Sequence, residues 1–232
     1  MLANLFKVAL EYLQQDQVRY MDMISPIKRG TAQILYADTD GVLLHETKSG
    51  AYMMSVTNHG LGEVLLRKLP NNGLFVCHQD FMLEHFKAKI GHTHILENYQ
   101  GAYLGEKLLS IPAHMDFKPL NIRDLDIVVN NYDMALGKEY LTGRILDEEL
   151  FGGYENGEMI GFVGIHAEGS VGMLKVFNQH QFGTGLYTFI TNHQLNRGLV
   201  PFGQVDVNNP ASLHIARKLG FVSSNHLVYW LW

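Results

Sequence analysis

The chain has 232 residues, of which 47% are hydrophobic and 18% charged, with 12 histidines and a formal net charge of -5. That length holds one large domain or two small ones, and the composition is that of a folded globular protein, not a disordered one. No basic cluster is longer than a pair such as Lys28 and Arg29, which excludes an electrostatic footprint for nucleic acid or for an anionic membrane.

The opening stretch "MLANLFKVALEYLQQ" is interrupted by Lys7 and Glu11 and has no small-residue cleavage site after it, so it is not a signal peptide. Leu2, Leu5, Phe6, Ala9, Leu10 and Leu13 share one helical face, which predicts an amphipathic helix over residues 2 to 20. No stretch approaches the roughly 20 apolar residues of a membrane span. "AQILYAD", "GVLLHET" and "AYMMSVT" then predict three antiparallel strands, joined by the turn stretches "TDG" and "KSG". A helix "EVLLRKL", a strand "LFVCH", a helix "FMLEHFKAKIG" and a strand "HILENYQGAYL" follow. The single cysteine, Cys77, lies in the apolar strand and reads as a buried structural thiol. With no disulfide to form, a reducing cytoplasm fits.

Pro112 and Pro119 bracket a linker and a first strand of the second half, followed by helical "IRDLDIVVNNY" and "MALGKEYLTGRIL". "FGGYENG", "EMIGFVGIHAE" and "SVGMLKVF" predict three strands, "LYTFITNHQLNR" a helix and "PFGQVDV" a strand. "PASLHIARKLG" predicts the last helix and "HLVYWLW" the last strand. The order of the first half thus returns. "VTNHGLGEVLL" from Val56 echoes "VFNQHQFGTGLYTF" from Val176, and "HFKAKIG" ending at Gly91 echoes "HIARKLG" ending at Gly220. Such an echo predicts two related halves, residues 1–114 and 115–232.

Gly183 and Gly185 stand where a strand hands over to a helix. Lacking Cβ atoms, they free the backbone for unusual dihedrals and let a ligand approach main-chain N–H groups. The helix after them offers unpaired donors and a partial positive charge, a combination suited to phosphate. An ordinary tight turn uses glycines in the same way, and the stretch is neither a dinucleotide-binding GxGxxG nor a Walker loop. Downstream, Asn209 suits the N-cap, Pro210 the first helical position and Gly220 the closure of a short helix.

The pairing of "HQFGTG" with "NNPASLHIARKLGF", with "EGSVGMLKVF" as a central strand, resembles the GCN5-related N-acetyltransferase superfamily over about residues 115 to 232. The first half is similar to the degenerate N-terminal half of glycine N-acyltransferase-like members. The resemblance implies a mixed, mostly antiparallel α/β sheet flanked by helices, in two tandem halves of which the second is catalytic. It implies acyl transfer, most simply of acetyl, from acetyl-CoA or another acyl-CoA to a primary amine such as an amino acid, without a metal. By carry-over, Phe182, Gly183, Thr184 and Gly185 hold the CoA diphosphate together with His180 and Gln181. Leu174 and Val176 line the pantetheine edge, and Asn209 and Ser212 face the CoA arm. The Val176 N–H also serves as oxyanion donor.

Two positions depart from that pattern. The family's Arg or Gln three residues before the first glycine is His180 here, and its usual acid, a tyrosine four residues before the helix-closing glycine, is Ala216. A thiolate leaving group near pKa about 8.5 needs little acid, whereas a lysine-type amine near about 10.4 is neutral in only about one molecule in a few thousand at pH 7. An α-amine, near about 8, is the easier acceptor. Glu168 is the candidate base, with His166 as its alternative on the same strand face and a solvated turn carboxylate as its structural alternative. Tyr229 is the candidate substitute acid, or else a core aromatic.

Other arrangements carry less. His92 and His94 lack a third ligand for a metal, and no Ser-His-Asp set has a nucleophile elbow. A non-catalytic acyl-CoA sensor is the rival to the enzyme, and Gly60 with Gly62 would make the first half a second CoA site. A homodimer is compatible with the composition.

Overall fold

The computed structural model describes residues 2–91, 94–132, 137–177 and 182–232. The first half opens with two helices, α1 (Leu2–Leu13) and α2 (Met21–Arg29), where the sequence predicts one. Pro26 sits inside α2, and the chain leaves that helix at Gly30 with φ 73° after Lys28 and Arg29. Strands β1 (Ala32–Ala37), β2 (Gly41–Glu46) and β3 (Ala51–Val56) form the expected meander. Then come α3 (His59–Leu66), β4 (Leu74–Cys77), α4 (Leu83–Ile90) and β5 (Ile95–Ala102).

The second half runs β6 (Met115–Pro119), α5 (Leu125–Asn131), α6 (Lys138–Leu146), β7 (Leu150–Glu155), β8 (Glu158–Ile165) and β9 (Val171–Val176). It ends with α7 (Phe182–Asn196), β10 (Phe202–Asp206), α8 (Pro210–Lys218) and β11 (Val222–Leu231). Gly198 and Gly220, with φ 69° and 87°, follow α7 and α8 closely, as the sequence predicts.

The chain divides into two compact units, and the division is not a single cut near residue 114. The first unit comprises 1–102, 204–210 and 222–232; the second comprises 103–203 and 211–221. The last strand joins the first unit because β11 pairs antiparallel with both β4 and β5. Strand order in the first unit is β1-β2-β3-β4-β11-β5, with β3 and β4 parallel and the other neighbours antiparallel among the described residues. In the second it is β10-β9-β8-β7-β6, with β9 and β10 parallel and the others antiparallel among the described residues. Both units are therefore mixed, mostly antiparallel sheets with helices packed on them.

Each unit has its own core. Leu43, Met54, Phe75, Met82 and Phe86 anchor the first, each fully buried, and each such side chain contributes on the order of 1.5–3 kcal/mol. Cys77 lies in that core, where burial pushes its thiol up to about 12, so it is the structural thiol expected. In the second unit Val163, Leu186 and Ile190 anchor one cluster, and Val128, Leu150 and Phe162 another.

Candidate active site of the second unit

The strand β9 carries the geometry. Its register with β8 slips between Phe162 and Gly164, so Met173 and Leu174 together oppose Val163. This is a β-bulge, and Met173 has a left-handed φ of 49°. Tyr132 receives a backbone hydrogen bond from Met173 at that point. Beyond the bulge, Phe177 N–H bonds Ile160 O at 3.0 Å. Backbone groups alternate sides along a strand, so the N–H of Val176 points away from β8. On that far side β9 pairs with β10 through Gly203↔Val171 alone among the described residues. Leu174 and Val176, both expected to line a pantetheine edge, thus present backbone groups to the side where β9 has left its parallel neighbour.

The strand leads to the N-terminus of α7, a helix of 15 residues. Phe182, Gly183, Thr184 and Gly185 form its first turn, and the N–H groups of the first three lie too early to find intrahelical carbonyl partners. His180 and Gln181, the other two residues expected at the diphosphate, lie outside the described residues. The two glycines do not take the unusual dihedrals expected of them. Both are helical, and neither has a positive φ. What they provide is space. A Cβ on Gly185 would collide with Met115 Sδ and approach Met115 Cε to 2.9 Å, and one on Gly183 would lie 3.0 Å from Ile215 Cδ1. Met115 of β6 and Ile215 of α8 thus pack closely against the first turn of α7 at the two glycines.

A hollow of about 180 Å³ lies at this end of the unit, lined by Glu155, Glu158, Met159, Phe177 and Phe182 among others. Two carboxylates in its wall suit a cationic group rather than a diphosphate.

At the other end of β9 the turn before it gathers polar groups. Glu168 is only 4% exposed and accepts from Ser170 Oγ, so it is not the solvated turn carboxylate of the structural alternative. His166 is on the same turn. Its Nδ1 lies 3.0 Å from the hydroxyl of Tyr140, and that hydroxyl accepts the N–H of Ala167 at 3.1 Å. Its Nε2 lies over Gly172, 2.5 Å from where a Cβ there would stand. Burial lowers the His166 pKa, with Glu168 opposing and Arg144 assisting, while burial raises that of Tyr140. A neutral imidazole and a protonated phenol follow. Arg144 pairs with Asp147 and sits 5.9 Å over the Tyr140 ring.

Some expected residues take other places. Tyr229 belongs to the core of the first unit, where its hydroxyl donates to Asp80 at 3.1 Å; burial is the main cause raising its pKa. Ala216, at the position of the missing acid, is a buried core residue. Asn209 and Ser212 stand at the start of α8, where the sequence places the helix boundary. Tyr132, Tyr140 and Ser170 carried no sequence signal, since only the bulge and the turn bring them to β9. Among the described residues no group of His, Cys, Asp and Glu could hold a metal ion, and no helix is long and apolar enough to cross a membrane.

No protein-family model matches this chain, and no curated protein matches it. Solved structures do. A Drosophila protein solved by X-ray crystallography superposes with a TM-score of 0.74 at 13% identity, over 99% of this chain and 95% of that one. A GCN5-related N-acetyltransferase from Kribbella flavida gives 0.57 at 11% identity, over 92% and 94% of the two chains. A GNAT-family acetyltransferase from Colwellia psychrerythraea gives 0.51 at 16%, over 96% and 97%. At these identities the likeness is one of fold, and the fold is that of the GCN5-related N-acetyltransferases.

Proposed function

We propose that the second unit transfers an acyl group, acetyl first among candidates, from a CoA thioester to a primary amine by direct attack. The observation that carries this reading is the course of β9. It bulges at Met173, leaves β10 after Val171, turns the N–H of Val176 away from β8, and runs toward the N-terminus of α7. A thioester arm lying along Leu174 and Val176 would put its carbonyl oxygen on the Val176 N–H and its diphosphate on the donors of Phe182 to Gly185.

The chemistry balances without a cofactor beyond the acyl donor. The amine nitrogen attacks the thioester carbon, a C–N bond forms, and the negative charge that collects on oxygen is met by the Val176 N–H. The C–S bond then breaks, the thiolate leaves as CoA and takes up a proton, and the nitrogen loses one. Glu168, buried and held by Ser170, is the group assigned to receive the amine proton, and since it stands at the opposite end of β9 from Val176 it would do so through intervening water. His166 is placed less well for that role, since its Nδ1 is engaged by Tyr140 and its Nε2 faces the Gly172 backbone. Leaving-group protonation needs no dedicated acid at a thiol pKa of about 8.5. Holding the two reactants in attack geometry supplies much of the acceleration. Weak acid-base equipment favours an α-amine such as that of an amino acid.

The test is release of free thiol from acetyl-CoA by the purified full chain in the presence of amino acids and polyamines. Amine-dependent thiol release with an N-acetylated product supports the enzyme; binding of acetyl-CoA with no release above background supports the acyl-CoA sensor instead.

A further inference from the structure

Both units contain the same run of strand, corner and helix, aligned at Val56 and Val176, which sets Met54 against Leu174 two residues earlier. In the second unit the strand parts from its parallel neighbour after one pair. In the first unit β3 and β4 stay together through Ala51↔Leu74, Tyr52↔Phe75, Met53↔Val76 and Met54↔Cys77. The next two residues, His78 and Gln79, then close the edge that remains. Met54 O accepts from the His78 backbone N–H at 3.3 Å and from His78 Nδ1 at 3.1 Å. The N–H of Val56, counterpart of the Val176 donor, is bonded to Gln79 Oε1 at 3.0 Å.

We infer that the first unit holds a closed copy of the acyl-CoA slot, with the side-chain amide of Gln79 occupying the strand edge that a pantetheine amide would take. What the slot holds when open rests on the function proposed for the second unit; the closure itself rests on the first unit alone.

Three further features keep the copy closed. Gln79 is 6% exposed, and its Nε2 donates to Ser55 Oγ at 2.8 Å, which in turn meets the Tyr12 hydroxyl at 2.9 Å. The His78 ring is held by Asp22 through Nε2, at 3.0 and 3.1 Å from the two carboxylate oxygens, and both residues are fully buried. Asp22 accepts further bonds from the Gln100 and Gln204 amides, each at 3.2 Å. The corner itself is three residues shorter, Val56 to Gly62 against Val176 to Gly185. Within it, Asn58 Oδ1 accepts the Leu61 N–H at 3.0 Å, using one of the helix donors a diphosphate would need. Gly62 keeps only the packing role of its counterpart, making room for Met82 as Gly185 does for Met115. The backbone path of a binding slot is thus retained while its donors and acceptors are satisfied from within.

Residue-resolved amide exchange on the full chain, with and without acetyl-CoA, tests this. The expected result is slow exchange at Val56, unchanged by acetyl-CoA, and at least tenfold faster exchange at Val56 in Gln79→Ala. Gln79→Glu, which keeps an acceptor oxygen, retains the protection; should Gln79→Ala not fold, Gln79→Met fills the volume without an amide and replaces it. Slowing of Val56 exchange by acetyl-CoA, a binding stoichiometry of two, or an unaltered Val56 rate in the variant without the amide overturns the inference. Absence of any acetyl-CoA effect at Val176 would count against the proposed function instead, and leaves the Gln79 comparison standing.

Discussion

The Tyr140 hydroxyl accepts the Ala167 N–H and reaches Nδ1 of His166, so one phenol ties the turn before β9 to the imidazole lying on that strand. Where the imidazole proton sits on Nε2, the phenol donates to Nδ1 while its oxygen accepts from Ala167.

A pH dependence of stability follows. Burial holds the folded-state pKa of His166 below its ordinary value of about 6.5. Above that value the residue is neutral both folded and unfolded. Below it the unfolded chain binds a proton that the folded chain resists, so stability is lost as pH falls, by up to about 1.4 kcal/mol per pH unit. Urea unfolding at pH 7 and pH 5.5 should show a larger fall for the wild type than for His166→Gln. Equal falls would mean that His166 protonates freely in the fold.

Glu168→Gln keeps an oxygen for Ser170 Oγ, so the fold should survive. If the carboxylate takes the amine proton, turnover falls by roughly 10²–10⁴ while the dissociation constant of acetyl-CoA stays put. Turnover within threefold of wild type removes Glu168 from the chemistry.

Gly185→Ala forces a methyl group against the end of the Met115 side chain, which must move, and should cost up to about 1 kcal/mol in chemical denaturation. Met115→Ala opens that space, and the double variant should recover most of the added loss. Simple additivity of the two changes would show that packing is not why glycine stands there.

Both ring nitrogens of His78 are engaged inside the fold, Nδ1 by Met54 O and Nε2 by the Asp22 carboxyl group. Asp22→Ala leaves the buried His78 ring and the Gln100 and Gln204 amides without their shared partner and should destabilise the chain by about 1–3 kcal/mol. A loss under about 1 kcal/mol would show that water reaches the ring.

Strand and helix periodicity made most elements legible, because Val, Ile and Leu alternation and the caps at Gly198 and Gly220 are local properties of the chain. The resemblance carried by "HQFGTG" and "NNPASLHIARKLGF" led to the fold. Where the reading failed, the cause was tertiary. The helix α2 around Pro26 is a second helix where one was expected, β11 joins the first unit through pairing with β4 and β5, and Gly183 and Gly185 are helical and packed against Ile215 and Met115. Gln79 gave no signal either, since its role depends on a strand 23 residues away. The bulge at Met173 is likewise invisible in "VGMLKV", for it arises from a register slip against β8.

The central claim is that β9 and the first turn of α7 hold a CoA thioester. A crystal structure of the full chain with acetyl-CoA addresses it most directly. The account predicts the diphosphate on the N–H groups of Phe182 to Gly185 and the thioester oxygen on the N–H of Val176. A well-ordered ligand bound elsewhere, with those donors facing water, would contradict it.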